Sequence, residues 1–392
     1  MSSEQTSPAP RPASEVFKAA CGAAIAWLTP GSGEPASAAA GRRRSEPQHG
    51  WLRRHWILAS VVALVLVVSG SVAGWFVYLN QQIASIERIP LTLDDAERPA
   101  RIEGEALNIL IAGADNGTGP TIADDVAAGR WEPGSHRSDT IMILHLPADR
   151  DEAFLVSIPR DSYVKLYDER GDYTYTDKIN AAFSLYGPSG YIATIEHLTG
   201  LRMDHLAIMD WQGFKDVSHA IGGVRVYIPE TFYDESQKVT WQKGWDELEG
   251  QEALQYVRTR HGLTNGDFDR IARQQNFLRS MMQTLLSDGV MRSPTSLTGA
   301  LKAITSNLTV DESWSTGDIR DLALSLRDIE AENVTFVTAP LGSYDTTSSG
   351  QSIVRLDPTK SKELWRALGD GALNDYVAKH KGDALPDARK VS

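Results

Sequence analysis

A group of arginines in the second half of the chain has the residue types and the spacing to bind an oxyanion. Arg258 and Arg260 are two positions apart, so they share one side of an extended segment. Arg270, Arg273 and Gln274 stack on one face near the start of a predicted helix. A helix N-terminus attracts anions, and arginine adds planar two-donor contacts. The pattern predicts an oxyanion site, and a solvated basic face paired with acidic side chains is the alternative.

A second group of charged residues stands at the ends of three predicted strands. These residues are Asp115, Arg137, Asp139, Arg160 and Asp161. Ligands collect at strand ends in α/β proteins, so carboxylates there are candidates for holding a metal. Ordinary turn formation is the alternative for each residue taken alone. Lys178 and Asn180 add polar donors at the start of a predicted helix.

The elements that must position these residues alternate along the chain. Continuous apolar runs predict strands covered on both faces, namely Leu107–Ala112, Thr140–Leu146, Ala153–Ile158, Val224–Ile228 and Val334–Thr338. Helical patterns lie between and after them, at Asn180–Leu185, Gly190–Thr199, Trp211–Ile221, Gly250–Val257, Phe268–Ser287, Ser315–Asp328 and Ser361–Leu368. This alternation predicts an α/β domain whose central sheet is covered on both sides.

An uncharged apolar run, Trp56–Leu79, precedes this domain. As a helix it would be about 36 Å long, enough to cross roughly 30 Å of hydrocarbon. Arginines precede the run, and no basic residue follows it before Arg88. The positive-inside rule therefore predicts a single-pass anchor with a cytoplasmic N-terminus and an extracellular domain. Cleavage as a signal peptide after Ala73 is the alternative.

Composition excludes several other classes of protein. The net charge of −12 argues against nucleic-acid binding by bulk charge, and a single cysteine excludes an internal disulfide or a cysteine-based zinc site. We predict a disordered cytoplasmic tail at 1–55, a membrane helix at 56–79 and a stalk at 80–104. The catalytic domain is predicted at 105–370 and a loose charged tail at 371–392.

The charged residues form six motifs in order, and these motifs resemble the LytR–CpsA–Psr family of bacterial cell-wall proteins. The motifs are Gly113-Ala114-Asp115, Arg137-Ser138-Asp139-Thr140, Ser157-Ile158-Pro159-Arg160-Asp161, Lys178-Ile179-Asn180, Gln255-Tyr256-Val257-Arg258-Thr259-Arg260 and Asp267-Phe268-Asp269-Arg270-Ile271-Ala272-Arg273-Gln274-Gln275. The resemblance implies a mixed central sheet between helices with a long apolar pocket. It also implies transfer of a glycopolymer from a polyprenyl-pyrophosphate carrier to peptidoglycan, outside the membrane.

The resemblance also implies roles for individual residues. Asp115 and Asp139 would hold Mg²⁺ (or Mn²⁺). Residues that would line the pyrophosphate are Arg137, Arg160, Arg258, Arg260, Arg270 and Gln274, with Lys178, Asn180 and Arg273 as further substrate contacts. Asp161 or Asp139 is the candidate base for the acceptor hydroxyl, which by resemblance is the 6-hydroxyl of a muramic acid.

One motif departs from the family pattern, and three other functions remain open. The family usually carries an arginine shortly after its first aspartate, where this chain has Asn116, Gly117 and Thr118. Arg130 is a possible spatial substitute. The alternatives are a pyrophosphatase that hydrolyses the carrier lipid, a lipid-carrier binding protein without catalysis, and a transcriptional regulator. The outward acidic domain, with no basic recognition helix, argues against the regulator.

Overall fold

The computed structural model describes residues 49–101, 104–115, 122–259 and 267–391. The predicted disordered tail lies largely outside these residues, as do Asn116–Thr118 and Arg260. The chain divides into two compact units, residues 1–67 and residues 68–392. The described part of the first unit is the beginning of a long helix, α1.

Helix α1 spans His49–Ala84. By length and composition, its segment Ser60–Ala84 qualifies as a membrane span, with a mean hydropathy of 2.2, and it is the one such segment among the described residues. The predicted span Trp56–Leu79 overlaps it and is displaced by about one helical turn. An apolar helix of this kind is consistent with a single-pass membrane protein.

The second unit contains fifteen strands among the described residues. They are β1 (Glu87–Ile89), β2 (Leu107–Asp115), β3 (Arg137–Leu146), β4 (Ala153–Ser157), β5 (Tyr163–Tyr167), β6 (Tyr173–Lys178), β7 (His205–Asp210), β8 (Val224–Ile228), β9 (Phe232–Asp234), β10 (Val239–Trp241), β11 (Gly244–Leu248), β12 (Leu308–Asp311), β13 (Val334–Thr338), β14 (Leu341–Thr346) and β15 (Ser352–Leu356).

The helices of this unit pack around those strands. They are α2 (Ile122–Ala127), α3 (Asn180–Thr199), α4 (Trp211–Ala220), α5 (Gly250–Arg258), α6 (Asp267–Leu285), α7 (Asp288–Met291), α8 (Pro294–Thr305), α9 (Thr316–Ser325), α10 (Pro358–Gly369) and α11 (Leu373–Lys379).

Seven strands form one central sheet in the order β1-β12-β7-β2-β3-β4-β13. Three neighbouring pairs are parallel and three are antiparallel. The predicted mixed sheet between helices is therefore confirmed. One apolar core includes Leu110, Ile143, Phe183 and Leu364, and joins the sheet to α3 and α10. A separate core joins the sheet to the end of α1 and to α9, because Ile83 of α1 is buried with Met142 and Ile319 of α9 packs against them.

Three elements differ from the expectations from sequence. Strand β1 lies inside the predicted stalk and pairs in parallel with β12, so the sheet extends into that segment. Val224–Ile228 is a strand, but it pairs with β11 in a separate two-stranded sheet, and its exposed and buried residues alternate. The predicted charged tail contains α11, whose Leu373 and Tyr376 are buried.

The two predicted helices, Asn180–Leu185 and Gly190–Thr199, both occur, and α3 comprises them on either side of a kink. The kink lies at Gly187, whose φ of +66° favours glycine, and at the following Pro188. A Cβ atom on Gly187 would lie 3.3 Å from the Trp131 ring, so this glycine also permits close packing. Trp131 belongs to the insert between the first two aspartate motifs, and it packs edge-on against Phe183 of α3.

Candidate active site

A β-bulge between the two central strands determines where Asp139 lies. In the β2–β3 ladder Gly113 pairs with Thr140 and Ala114 pairs with Ser138, so Asp139 is the extra residue. A bulge bends its strand and redirects the inserted side chain. A Cβ atom on Gly113 would lie 2.9 Å from Thr140 Cβ, which is too close for an ordinary contact. The space beside the bulge therefore requires glycine at position 113.

Four predicted residues form a chain of ion pairs beyond this bulge. The Arg160 guanidinium donates through Nη1 to Asp139, and its Nε lies 3.6 Å from Asp161 Oδ2. Lys178 Nζ lies 2.9 Å from the other oxygen of Asp161. The Asn180 backbone N–H donates to the carbonyl of Arg160 at 3.2 Å, which fixes the start of α3 against this segment. The structure therefore brings together residues that are far apart in sequence.

Arg258 stands at the last residue of α5 and contacts the other predicted metal ligand. Its Nη2 donates to Asp115 Oδ2 at 3.0 Å, and its guanidinium lies 5.2 Å from the centre of the Trp211 ring. Asp115 ends β2 directly opposite Arg137, which is exposed at the start of β3. The side chains of Arg258 and Asp115 are 41% and 34% exposed, so a ligand from solvent can reach both.

The three α6 residues differ in their surroundings. Gln274 is half-buried and donates to the carbonyl of Val257 at 3.3 Å, which ties α6 to α5 next to Arg258. Arg270 is 3% exposed. Arg273 is 1% exposed, and its guanidinium lies 4.9 and 5.0 Å from the ring centres of Tyr256 and Phe232.

Burial lowers the pKa of Arg273, and nearby Tyr256 and Asp269 oppose that shift. In this arrangement the Arg273 side chain packs α6 against α5 and against the β9–β10 hairpin. The prediction that Arg273 contacts substrate stays a prediction. Its position fits an indirect role better, because its guanidinium is enclosed by two aromatic rings.

The same hairpin also fixes the residue that precedes Arg260. Burial favours the neutral form of Asp234, but hydrogen bonds from Ser236, Thr259 and two backbone N–H groups outweigh it and lower the Asp234 pKa. Thr259 is fully buried, and its hydroxyl oxygen also lies 3.0 Å from the carbonyl oxygen of Gln255. The backbone leading out of α5 is thus held on two sides, although Arg260 itself lies outside the described residues.

The charges of the candidate site are locally positive in an acidic chain. Among the described candidates, six cations face three carboxylates, whereas the whole chain has a net charge of −12. The cations are Arg137, Arg160, Lys178, Arg258, Arg270 and Arg273, and the carboxylates are Asp115, Asp139 and Asp161. The predicted residues therefore supply a net positive charge, which would attract a dianionic group in spite of the charge of the whole chain.

The two aspartates on β2 and β3 fit one kind of magnesium site. No group of three or more acidic, histidine or cysteine side chains that could hold a metal occurs in the part of the chain that the structure describes. Mg²⁺ is often bound by only one or two carboxylates, with water and substrate phosphate completing the shell. Asp115 and Asp139 lie on neighbouring strands at the same end and are partly exposed, so they match that donor set.

An apolar cavity of about 120 Å³ lies directly beside these charged groups. Its lining includes Gly113 at the bulge, Trp211 under Arg258, Phe214 of α4, and Gln274 and Leu278 of α6. Helix α4 thus forms one wall of this cavity through Trp211 and Phe214. The cavity is small, so the long pocket implied by the family stays a prediction.

Residues 78–370 match the model of the LytR_cpsA_psr family. The chain belongs to this family. It is 30% identical to the cell wall biosynthesis protein LcpA of Corynebacterium glutamicum, over 86% of this chain and 71% of that protein. The predicted family membership is confirmed.

Two further comparisons agree in fold and family. The chain is 28% identical to the polyisoprenyl-teichoic acid–peptidoglycan teichoic acid transferase TagU of Enterococcus faecalis, over 69% of this chain and 83% of that protein. The crystal structure of B. subtilis TagV superposes with a TM-score of 0.55 at 24% identity, covering 69% of this chain and 98% of that one. The TagV likeness shows the shared fold.

Two residues that shape this site had no role assigned to them from the sequence. Trp211 supports Arg258, and Gly113 accommodates the bulge at Asp139. The signal for Trp211 was its position directly after a strand-forming segment, where ligand-binding residues collect. Arg130, considered as a substitute for the missing arginine, has its Nη2 3.8 Å from Oδ1 of Asp125, a residue outside the six motifs.

Proposed function

We propose that this protein transfers a glycopolymer from a polyprenyl-pyrophosphate carrier to peptidoglycan. The observation that carries the proposal is the position of the Arg258 guanidinium, which is paired with Asp115 and lies over Trp211, a residue that also lines the apolar cavity. A lipid pyrophosphate needs both environments, since its headgroup is dianionic and its chain is apolar. The relative TagU is named as a transferase with a polyisoprenyl-linked polymer and peptidoglycan, which supports the same chemistry here.

The proposed reaction is a phosphoryl transfer that requires positioning and charge stabilisation. The acceptor hydroxyl oxygen attacks the phosphorus attached to the glycopolymer, and the bond from that phosphorus to the bridging oxygen breaks. Polyprenyl phosphate leaves with the bond's electron pair. The hydroxyl proton passes to Asp139 or Asp161, both of which lie beside the Arg160 guanidinium. Arg137, Arg258 and Arg270 stabilise charge on the phosphate oxygens.

Asp115 and Asp139 are the residues that would hold a magnesium ion in this proposal. Bound there with substrate phosphate, it would neutralise charge on the pyrophosphate. The residues of the chain retain separate tasks. Asn180 and Lys178 hold the segment that carries Arg160 and Asp161 against the start of α3. Gln274 keeps α6 in register with Val257, and Trp211 orients Arg258.

We also propose that α1 anchors the protein with its N-terminus in the cytoplasm and its catalytic domain outside. The arginines before Trp56 support this orientation through the positive-inside rule. A reporter that is active only outside the cytoplasm, fused after Ser392, should be active, and the protein should remain with membranes after an alkaline wash. A shortened form released from membranes would instead indicate cleavage near Ala73.

The function is tested with the full chain in detergent, a defined polyprenyl-pyrophosphoryl glycan, peptidoglycan and Mg²⁺. A covalent glycan–peptidoglycan product, with release of polyprenyl phosphate, supports transfer. Free glycan phosphate formed at the same rate with and without peptidoglycan would show a pyrophosphatase instead. Binding of the donor without either product would show a carrier-binding protein.

A further inference from the structure

A second and much larger cavity lies among elements that the proposed chemistry does not use. Its volume is about 910 Å³, and it lies between β5, the C-terminal end of α3, the β14–β15 hairpin and α10. We call it the α10 groove. This volume is at the upper end of the ~300–1,000 Å³ found for small-molecule sites, so the groove is large enough for several sugar rings or a short peptide.

The charged side chains that line the α10 groove are mostly basic. Lys165, Arg355, Lys362 and Arg366 line it, against Asp370. All five are exposed, so their charged groups are accessible to a ligand. Arg355 is also paired with Asp345 at 3.0 Å, at the outer side of the hairpin. A concentration of positive charge on a chain of net charge −12 indicates a ligand with carboxylate or phosphate groups.

Aromatic side chains provide the groove with apolar surface. Tyr163, Tyr167 and Trp365 line it. The Arg355 guanidinium lies 5.4 Å from the centre of the Tyr163 ring, and the Tyr167 ring meets the His197 ring edge-on at 3.8 Å. Rings with a polar edge next to cations suit a ligand that has both apolar faces and acidic groups. A glycan strand with acidic peptide branches has this composition.

The α10 groove connects directly to one side of the candidate active site. Strand β5 begins at Tyr163, two residues after Asp161, and Tyr163 pairs in register with Lys178, which holds Asp161. On the other side of this segment, the Val354 backbone N–H donates to the Asp161 carbonyl at 2.9 Å. The groove thus adjoins the candidate base Asp161, whereas Arg258 and the apolar cavity lie with α4, α5 and α6.

We propose that the α10 groove binds the acceptor, a peptidoglycan strand whose stem peptides carry free carboxylates. This inference rests on the proposed function and adds the place of the second substrate. Lys362 and Arg366 bind the stem-peptide carboxylates, and the Tyr163 side of the groove directs the sugar hydroxyl toward Asp161. The donor occupies the opposite side, where the cavity beside Trp211 takes its lipid.

The first measurement is equilibrium binding of a peptidoglycan tetrasaccharide, with free carboxylates on its stem peptides, to the full chain in detergent without donor. Reversing both charges in Lys362→Glu/Arg366→Glu should weaken binding by roughly tenfold or more, because two exposed ion pairs are lost and two repulsions are added. The matched control is Lys360→Glu/Arg327→Glu, in which both side chains are exposed and lie outside the groove lining. It should bind as the wild type does.

Lys362→Gln removes one charge without reversing it, so it tests the groove if the double variant fails to fold. It should weaken tetrasaccharide binding by about two- to fivefold. Equal tetrasaccharide affinity in the wild type and in both groove variants would overturn the proposal, as would absence of wild-type binding.

The second measurement is the transfer reaction. A raised acceptor KM with an unchanged donor KM supports the groove, and a raised donor KM alone overturns it. The wild type could also bind the tetrasaccharide without catalysing transfer. If the Lys362→Glu/Arg366→Glu variant then loses that binding, the groove proposal is supported and the proposed function is refuted.

Discussion

Replacing Arg258 by lysine separates a catalytic role from a structural role more sharply than any other substitution in the site. The side chain is 41% exposed, donates to Asp115 at 3.0 Å and lies 5.2 Å from the Trp211 ring. Lysine keeps the charge but loses the planar fork and the stacking on the ring. The ion pair is worth about 0–1 kcal/mol and the exposed cation–π contact about 0.5–1 kcal/mol. Stability should therefore fall by at most about 1–2 kcal/mol.

The expected loss of rate is much larger than this loss of stability. Removing one donor that stabilises charge in a transition state costs about 3–4 kcal/mol, or roughly 10²–10³ in rate. The assay measures transfer rate and melting temperature for Arg258→Lys under identical conditions. A melting temperature lowered by a few degrees together with the large rate loss supports the site, while a normal rate refutes our assignment of Arg258.

The control for this substitution has to come from outside the site. Arg279, one turn beyond the motif, is unsuitable because it donates to the Pro386 carbonyl at 3.0 Å and to Asn276, so it joins α6 to the end of the chain. Arg327 is exposed and paired only with its neighbour Asp328 among the described residues. Arg327→Lys should leave both rate and melting unchanged. Arg270→Lys is a weaker probe, since Arg270 is buried and its loss could also lower stability.

Three further predictions concern stability and the metal. Burial, aided by a nearby arginine, lowers the pKa of His145 to about 4, so the unfolded chain binds its proton more readily between pH 6.5 and 4. When the pH is lowered from 7 to 5, the free energy of unfolding should therefore fall by about 2 kcal/mol more in the wild type than in His145→Gln. Denaturant unfolding at the two pH values measures this difference. Gly113→Ala should lower the free energy of unfolding by about 1–3 kcal/mol and remove most transfer activity, because the added methyl group crowds the bulge. Gly299→Ala is the control, since an added Cβ in that helix would come no closer than 4.0 Å to its neighbours, and it should be neutral or stabilising in the same melting assay. Asp139→Ala should abolish transfer in a Mg²⁺ titration, and full Mg²⁺-dependent activity of Asp115→Ala would show that Asp115 holds no metal.

The long buried elements were predictable because their apolar patterns are strong and local. Val334–Thr338 is a strand with the predicted bounds, and the predicted helix 250–257 differs from Gly250–Arg258 by one residue. Short elements were not predictable, since three residues carry too little pattern. Strand β1 exists only because it can pair with β12, more than 200 residues later, and no local signal specifies such a partner.

In the candidate site, too, local sequence motifs predicted which residues come together, whereas features that depend on distant segments could not be predicted. The motifs placed Arg160, Asp161 and Lys178 in one group, and the structure joins them by ion pairs. The surroundings of each side chain could not be read from the motifs. Arg273 has the same residue type and helical phase as a ligand-binding arginine, yet it is enclosed by rings from α5 and β9. Burial depends on distant segments, so spacing alone cannot separate a contact residue from a supporting one.

The ion pairs of the site explain how so many charges can be held together before a substrate binds. Arg258 is matched by Asp115, and Arg160 by Asp139 and Asp161, so removing one member would leave its partner unbalanced. In the proposed complex, phosphate oxygens would take the arginines while a cation would take the carboxylates. Each pair then exchanges one partner for another of the same charge, and the local balance is preserved. The arginines are ordered when the protein folds, so no further free energy is needed to position them during the reaction. They are therefore preorganised for the charge that develops in the transition state.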